Sequence, residues 1–365
     1  MILVFFQNCI SPHQIPYISE ICNDKRVEAV YLFTPRVDYK CRKDMGWDSS
    51  RLLCNTFIRF SLLPTDDYLE SIFQKKDVYA FFSGLRADKD IFRWFKLSLK
   101  YDVRRGMITE APNVCLTKPL WLHSVRFLLQ DYRYVRYIHY VYAFGDLAVC
   151  YYSFWSKKWK VFPFSYCPEV AKCENVCQKK SADGLDLLFV GSINKNKNVY
   201  MVLKVLSTLN DDSIHFDIIG DGPERDRLEK YVSEKRISNV VFYGNMDMSK
   251  VHVLMHKFDV LVLPSLYDGW GAVVNEALQC GLYVICSDKC GAKALIVNDK
   301  LGQVFCSKKD LHQILANINV SELRQNRDYR TNWSYNISGK VLAKYFVDGL
   351  LSNDYVHEPW RKFHR

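Results

Sequence analysis

The chain has 365 residues, 49% hydrophobic and 25% charged, a composition that folds into globular domains and is long enough for two cores. Thirteen cysteines without paired spacing argue against a disulfide-stapled module, and no apolar run has the length needed to span a bilayer. The net charge of +10 is uneven: residues 1–167 carry 24 Lys and Arg against 16 Asp and Glu, whereas the remainder is nearly balanced.

In chain order, Ile2 to Phe6 reads as a buried first strand. With no basic n-region and no small-residue cleavage site, it is not expected to be a signal peptide. The loop Ser11-Pro12-His13-Gln14-Ile15-Pro16 follows it. Ala29 to Phe33, Val78 to Phe82 and Met107 to Thr109 are the next candidate strands, the last leading into Thr109-Glu110-Ala111-Pro112. Asp88-Lys-Asp90 lies in a polar run and is expected at the surface, not at a metal. Basic residues alternate with aromatics in Asp90 to Lys96 and Tyr132 to His139, a mixture suited to an anionic membrane or a lipid-diphosphate acceptor. No nucleic-acid-binding motif accompanies this charge. His123 and His139, in an aromatic helical stretch, read as packing residues. Cys167, Cys173 and Cys177 lack a CxxC step, so no zinc site is expected; reduced thiols suit a cytoplasmic enzyme.

The polar segment 168–184 is the expected linker between domains 1–167 and 185–333. Beyond it, β and α signals alternate. Strands are predicted at Leu185 to Val190, Ile214 to Ile219, Val240 to Tyr243, Val260 to Leu263 and Tyr283 to Cys286, with helices at about Val199 to Leu209 and Glu224 to Ser233. That order implies a parallel, doubly wound sheet. Ser334 to Leu351 is amphipathic and predicts a terminal helix, giving a segment 334–352 before the basic tail 353–365.

The most informative stretch runs from Pro264 to Leu278 (PSLYDGWGAVVNEAL). A glycine-rich turn after a buried strand carries Asp268 beside Gly269, Trp270 and Gly271; a second carboxylate, Glu276, follows eight positions on, inside a helix predicted from Ala272 to Gly281. Loops at the carboxyl ends of parallel strands form the ligand crevice, so two acids beside bare backbone there suit a hydroxyl-rich ligand.

This segment resembles the acidic signature of retaining glycosyltransferases of family 4, and the similarity continues through most of Leu185 to Ile296. The first acid is usually Glu in that family; Asp268 is one methylene shorter. The resemblance implies the GT-B fold: two doubly wound, Rossmann-like parallel-sheet domains facing across a cleft, with the C-terminal helix packing back on the first. It implies a nucleotide-diphosphate sugar as co-substrate, UDP- or GDP-linked, with no other cofactor and no metal. Glu276 is then assigned to the ribose diol and Asp268 to hydroxyls of the transferred sugar. Gly191 and Ser192 open the phosphate loop. The family commonly has Arg directly after that glycine and Lys five positions later; Ser192 departs from this, Lys197 matches, and Lys195 is the proposed substitute. Gly220 and Gly222, in GDGPER, resemble the turn near the nucleotide, and Tyr243 ends the strand against which the base rests.

The reaction so implied is retaining transfer of a sugar to a glycan or lipid-linked acceptor in bacterial surface polysaccharide synthesis, in the cytoplasm or on the inner face of the membrane. His13 and Glu110 are the candidate acceptor-side residues. Two other readings stand beside it: a sugar-nucleotide 2-epimerase, and a non-catalytic sugar-nucleotide-binding subunit of a glycan-assembly complex.

Overall fold

The computed structural model describes residues 1–37, 57–86, 88–112, 120–168, 184–352 and 354–361. Most of the expected linker, with Cys173 and Cys177, and the last residues of the basic tail lie outside the described residues. The chain forms two compact units: Met1–Pro168 together with Asn336–Arg365, and Glu169–Tyr335.

The first unit is built on a parallel sheet of seven described strands: β1 (Ile2–Phe6), β2 (Ala29–Thr34), β3 (Ile58–Leu62), β4 (Val78–Phe82), β5 (Arg104–Glu110), β6 (Tyr140–Phe144) and β7 (Lys160–Phe164). Their spatial order is β3-β2-β1-β4-β5-β6-β7. The inner strands are apolar on both faces because helices cover both sides of a parallel sheet; ILVFF in β1, VYAFF in β4 and YVYAF in β6 are buried throughout. The C-terminal helix Gly339–Leu351 belongs to this unit. Its Phe346 ring stacks on Tyr142 at 4.2 Å, and the Tyr142 hydroxyl donates to the Phe346 carbonyl at 2.6 Å.

The second unit has six parallel strands: β8 (Leu185–Val190), β9 (Ile214–Ile219), β10 (Val240–Gly244), β11 (Val260–Leu263), β12 (Tyr283–Ser287) and β13 (Gly302–Phe305). The order is β10-β9-β8-β11-β12-β13. The chain winds outward from β8 in one direction and from β11 in the other, so the strand order reverses between them.

Four local expectations need correcting. The aromatic stretch before residue 140 is not a regular helix: Tyr132–Tyr137 forms a 3₁₀ turn, and His139 is exposed at the threshold of β6, where its Nδ1 accepts from the Arg105 amide at 3.2 Å. Asp88 is buried. Its side chain caps the helix Lys89–Ser98 by accepting from the Asp90 amide at 2.8 Å and holds Arg36 at 2.5 Å. The terminal helix starts later than Ser334, because Ser334–Ile337 is a 3₁₀ turn and Ser338 caps the Val341 amide. The helix after Gly271 is shorter at both ends, running Val273–Gln279.

Candidate functional site

The reversal of strand order puts the loops after β8 and β11 side by side, and Lys197 and Asp268 meet there. In the β8 loop, the Asn194 side chain accepts from the Lys197 amide at 2.9 Å, and Asn198 takes a left-handed conformation (φ 52°) that turns the chain into the helix Val199–Leu209. The β11 loop is tied to it directly: Leu266 N–H donates to the Asn196 carbonyl at 2.7 Å, and the Asn196 side chain donates to the Tyr267 carbonyl at 2.7 Å.

Across this seam the Lys197 ammonium holds the Asp268 carboxylate at 2.5 Å, with both side chains mostly but not wholly covered. Asp268 is fixed by its backbone as well, since its N–H donates to Lys289 and its carbonyl accepts from Gly291. The shorter acid is thus held rigidly at the crevice, where an ammonium with three donors can serve it and one further oxygen.

Glu276 lies behind the turn, almost fully buried, with His252 Nε2 3.7 Å from its Oε2. Trp270, also buried, donates its indole N–H to the Asn275 side chain at 2.7 Å and so pins the turn to the helix that carries Glu276. His252 and Asn275 were not found from the sequence. His252 stands 24 residues from its partner, in another helix (Met248–Met255), and no local pattern links them.

The loop after β9 closes the crevice from a third side. Gly220 donates to the Gly244 carbonyl at 2.8 Å, and Ile193 donates to the Asp221 carbonyl at 2.9 Å. Gly220 has φ +132°, and a Cβ there would stand 2.0 Å from the Gly191 carbonyl oxygen; one on Gly222 would stand 2.4 Å from that of Ile193. These glycines are therefore required by close contact between two backbones, even before any ligand is considered. Ser192 and Lys195 are exposed at the rim. Tyr243 is also largely exposed, and partial burial with Asp217 beside it pushes its phenol up to about 12, so it stays a hydrogen-bond donor.

His13 and Glu110 belong to the first unit, and both meet Tyr166 there. Glu110 Oε1 accepts from the Tyr166 hydroxyl at 2.8 Å, and the His13 ring lies 5.7 Å from the Tyr166 ring. Glu110, Tyr166, Gln7, Asn8, Ser83 and Tyr152 line a cavity of about 550 Å³ at the carboxyl ends of β1, β4, β5 and β6. Ser83 donates to the Asn8 side chain at 2.9 Å, and Gln7 is bonded to Gln14. This polar crevice again sits where strand order reverses, between β1 and β4.

Residues 177–339 match the family described as "Glycosyl transferases group 1". Among curated relatives, the Bacillus subtilis protein EpsF, a glycosyltransferase by its name, is 34% identical over 123 residues, 33% of this chain and 32% of its own. The match therefore spans about a third of that relative's length. Among solved structures, the lipopolysaccharide outer core galactosyltransferase WaaB has a TM-score of 0.71 at 14% identity, covering 97% of this chain and 100% of that one. Anabaena Alr3699/HepE, solved in complex with UDP and glucose, has a TM-score of 0.67 at 12% identity over 96% of this chain and 99% of its own. At these identities the structural likeness carries the GT-B fold alone.

Proposed function

We propose that the protein transfers a sugar from a nucleotide diphosphate to a glycan or lipid-linked acceptor, with retention of anomeric configuration; the match of residues 177–339 to the group 1 glycosyl transferases and the GT-B fold support this reading. The observation that carries this is the meeting of Lys197 and Asp268 at the point where strand order reverses, with Glu276 behind them.

The chemistry follows from the charges. When the bond between the sugar C1 and its phosphate oxygen breaks, negative charge grows on the departing diphosphate. Lys197 and Lys195, with the N-terminus of the helix Val199–Leu209, stand in the loop that would receive it, and preorganised cations and amides lower the barrier most where charge develops. Asp268 accepts hydrogen bonds from sugar hydroxyls while Lys197 holds it in place. Glu276 accepts two from the ribose, each strengthened by its charge. The acceptor oxygen then bonds to C1 on the face the phosphate leaves, and its proton passes to the leaving phosphate oxygen. No metal is needed if these cations carry the charge. The polar crevice of the first unit, lined by Glu110 and by Tyr166, against which His13 packs, is the acceptor side. UDP is the favoured donor base, since Alr3699/HepE is a protein of this fold solved with UDP. Surface-polysaccharide assembly at the cytoplasmic face of a membrane is the favoured setting.

The test is release of nucleoside diphosphate from UDP-, GDP- and ADP-sugars, with Glu276→Ala beside the native chain and the product anomer read by NMR. Transfer with retention, lost in the variant, is the expected result. Binding of a sugar nucleotide with no turnover against any acceptor would leave only a binding subunit. An inverted product would overturn the stereochemistry.

A further inference from the structure

The helix Leu120–Gln130 reverses the usual arrangement of a surface helix. At 100° per residue, Leu128, Trp121, Val125, Leu129 and Leu122 fall within an arc of about 120°. That arc faces outward: all five are exposed, Trp121 by 63% and Leu129 by 79%. The inner side is held by Phe127, whose ring lies 4.5 Å from Trp155 of the neighbouring helix Asp146–Trp155. That second helix repeats the pattern. Leu147, Cys150 and Phe154 share its outer face and are exposed, Phe154 by 79%. Two neighbouring helices, joined through Phe127 and Trp155, thus each present an apolar outer face, where a water-soluble protein ordinarily places charge.

The charges around it are of one sign. Arg126, Arg133, Arg136, Lys157 and Lys158 are exposed beside the apolar faces. Over residues 120–160 the only acids are Asp131 and Asp146, and each is already paired, with Arg86 and with Arg361. Trp121 and Tyr132, both exposed, add the rings that settle at the boundary between water and lipid.

We propose that the outer faces of the helices Leu120–Gln130 and Asp146–Trp155 dock the protein on an anionic lipid bilayer. The apolar arc enters the acyl boundary, and the surrounding cations meet the lipid phosphates, each contributing roughly a fivefold gain in partition. This goes beyond the transfer chemistry and does not depend on it, because the surface lies wholly within the first unit and its readout is binding.

The experiment is flotation of the full chain with phosphatidylcholine vesicles, with and without phosphatidylglycerol, at low and high salt. Beside it run two double variants, Leu129→Glu with Phe154→Glu, and Arg133→Glu with Lys157→Glu. All four side chains face outward, so thermal melting should be unchanged. The expected result is partition onto the anionic vesicles that salt weakens, and that falls about tenfold or more in each variant. No partition of the native chain would overturn the proposal, as would equal partition of native and variant chains. A native dimer that the Leu129→Glu, Phe154→Glu variant converts to a monomer, without vesicle binding, would show that a second copy covers this surface.

Discussion

Lys197 and Asp268 are 71 residues apart in the chain and 2.5 Å apart in space, one on the loop after β8 and the other on the loop after β11. The contact exists because those two strands are neighbours at the centre of a doubly wound sheet, so any residue beyond their carboxyl ends must share one crevice. The ion pair is a positioning device and a charge reserve together. Replacing Lys197 with Ala should lower transfer by about a hundredfold to a thousandfold if its cation meets the leaving diphosphate. A double-mutant cycle with Asp268→Asn should return a coupling of about 0.5–3 kcal/mol in stability. Additive effects in that cycle would mean the pair is only a surface contact.

Glu276 tests the nucleotide side separately. Its carboxylate is buried next to His252, so Glu276→Gln preserves shape and most hydrogen-bonding capacity while removing the charge. Thermal melting should hardly move, whereas nucleotide affinity should fall about tenfold to a hundredfold, the difference between charged and neutral acceptors for two hydroxyls. Titration calorimetry with UDP and UDP-sugars reads this directly. Unchanged affinity would remove Glu276 from the site and leave it a structural partner of His252.

The backbone crossing at Gly220 predicts a larger structural effect. An alanine Cβ there would meet the Gly191 carbonyl at 2.0 Å, in a conformation that side chains rarely adopt. Gly220→Ala should cost about 2–3 kcal/mol and lower the melting temperature of the second unit by roughly 4–12 °C. It should also abolish nucleotide binding by parting the β8 and β9 loops. An intact melt with lost binding would mean that the loops give way locally instead.

Thiol chemistry supplies a probe of the same crevice. Cys290 Sγ lies 2.9 Å from where a Cβ on Gly271 would sit, directly behind the Asp268 turn. Its hydrogen bond with Cys286, together with full burial, pushes its thiol well above the ordinary range, so it stays protonated near pH 8 and unreactive. Alkylation followed by peptide mapping should modify the exposed Cys150 and Cys306 and spare Cys286 and Cys290 until the fold opens. Early modification of Cys290 would show that the turn bearing Asp268 breathes in the native state.

What could be read from the sequence follows the physics of each segment. β8, β9 and β11 were legible to the residue, because short apolar runs closed by Gly or Pro can be little else inside a parallel sheet. β6 was missed since YVYAF directly follows an aromatic, basic stretch and no turn residue marks its start. β13, four residues with half of them exposed, carries too little pattern, and β3 lies at a sheet edge. In the candidate site, Asp268, Glu276 and Lys197 were marked by local motifs. The pairing of Lys197 with Asp268, the burial of Glu276 against His252 and the grouping of Glu110 with Tyr166 were not, because they arise only when distant loops converge.

The C-terminal helix shows this most strongly, since the partners of its Phe346 lie from 204 to 341 residues earlier in the chain. Phe346 packs on Tyr142, Phe81 and Phe5, with ring centroids 4.2, 4.8 and 5.7 Å away, so its side chain completes the sheet face of the first unit. Truncating a buried Phe costs about 3–5 kcal/mol, so Phe346→Ala should lower the melting temperature of the first unit by roughly 6–20 °C. Removing residues 338–365 altogether should leave that unit unfolded, because the Tyr142 hydroxyl would also lose its acceptor inside an apolar core. Nucleotide binding by the second unit should survive both changes, since its sheet and loops do not draw on this helix. Differential scanning calorimetry with and without UDP separates the two: the nucleotide-sensitive transition should stay in place while the other falls. If both transitions fall together, the two units melt as one cooperative block.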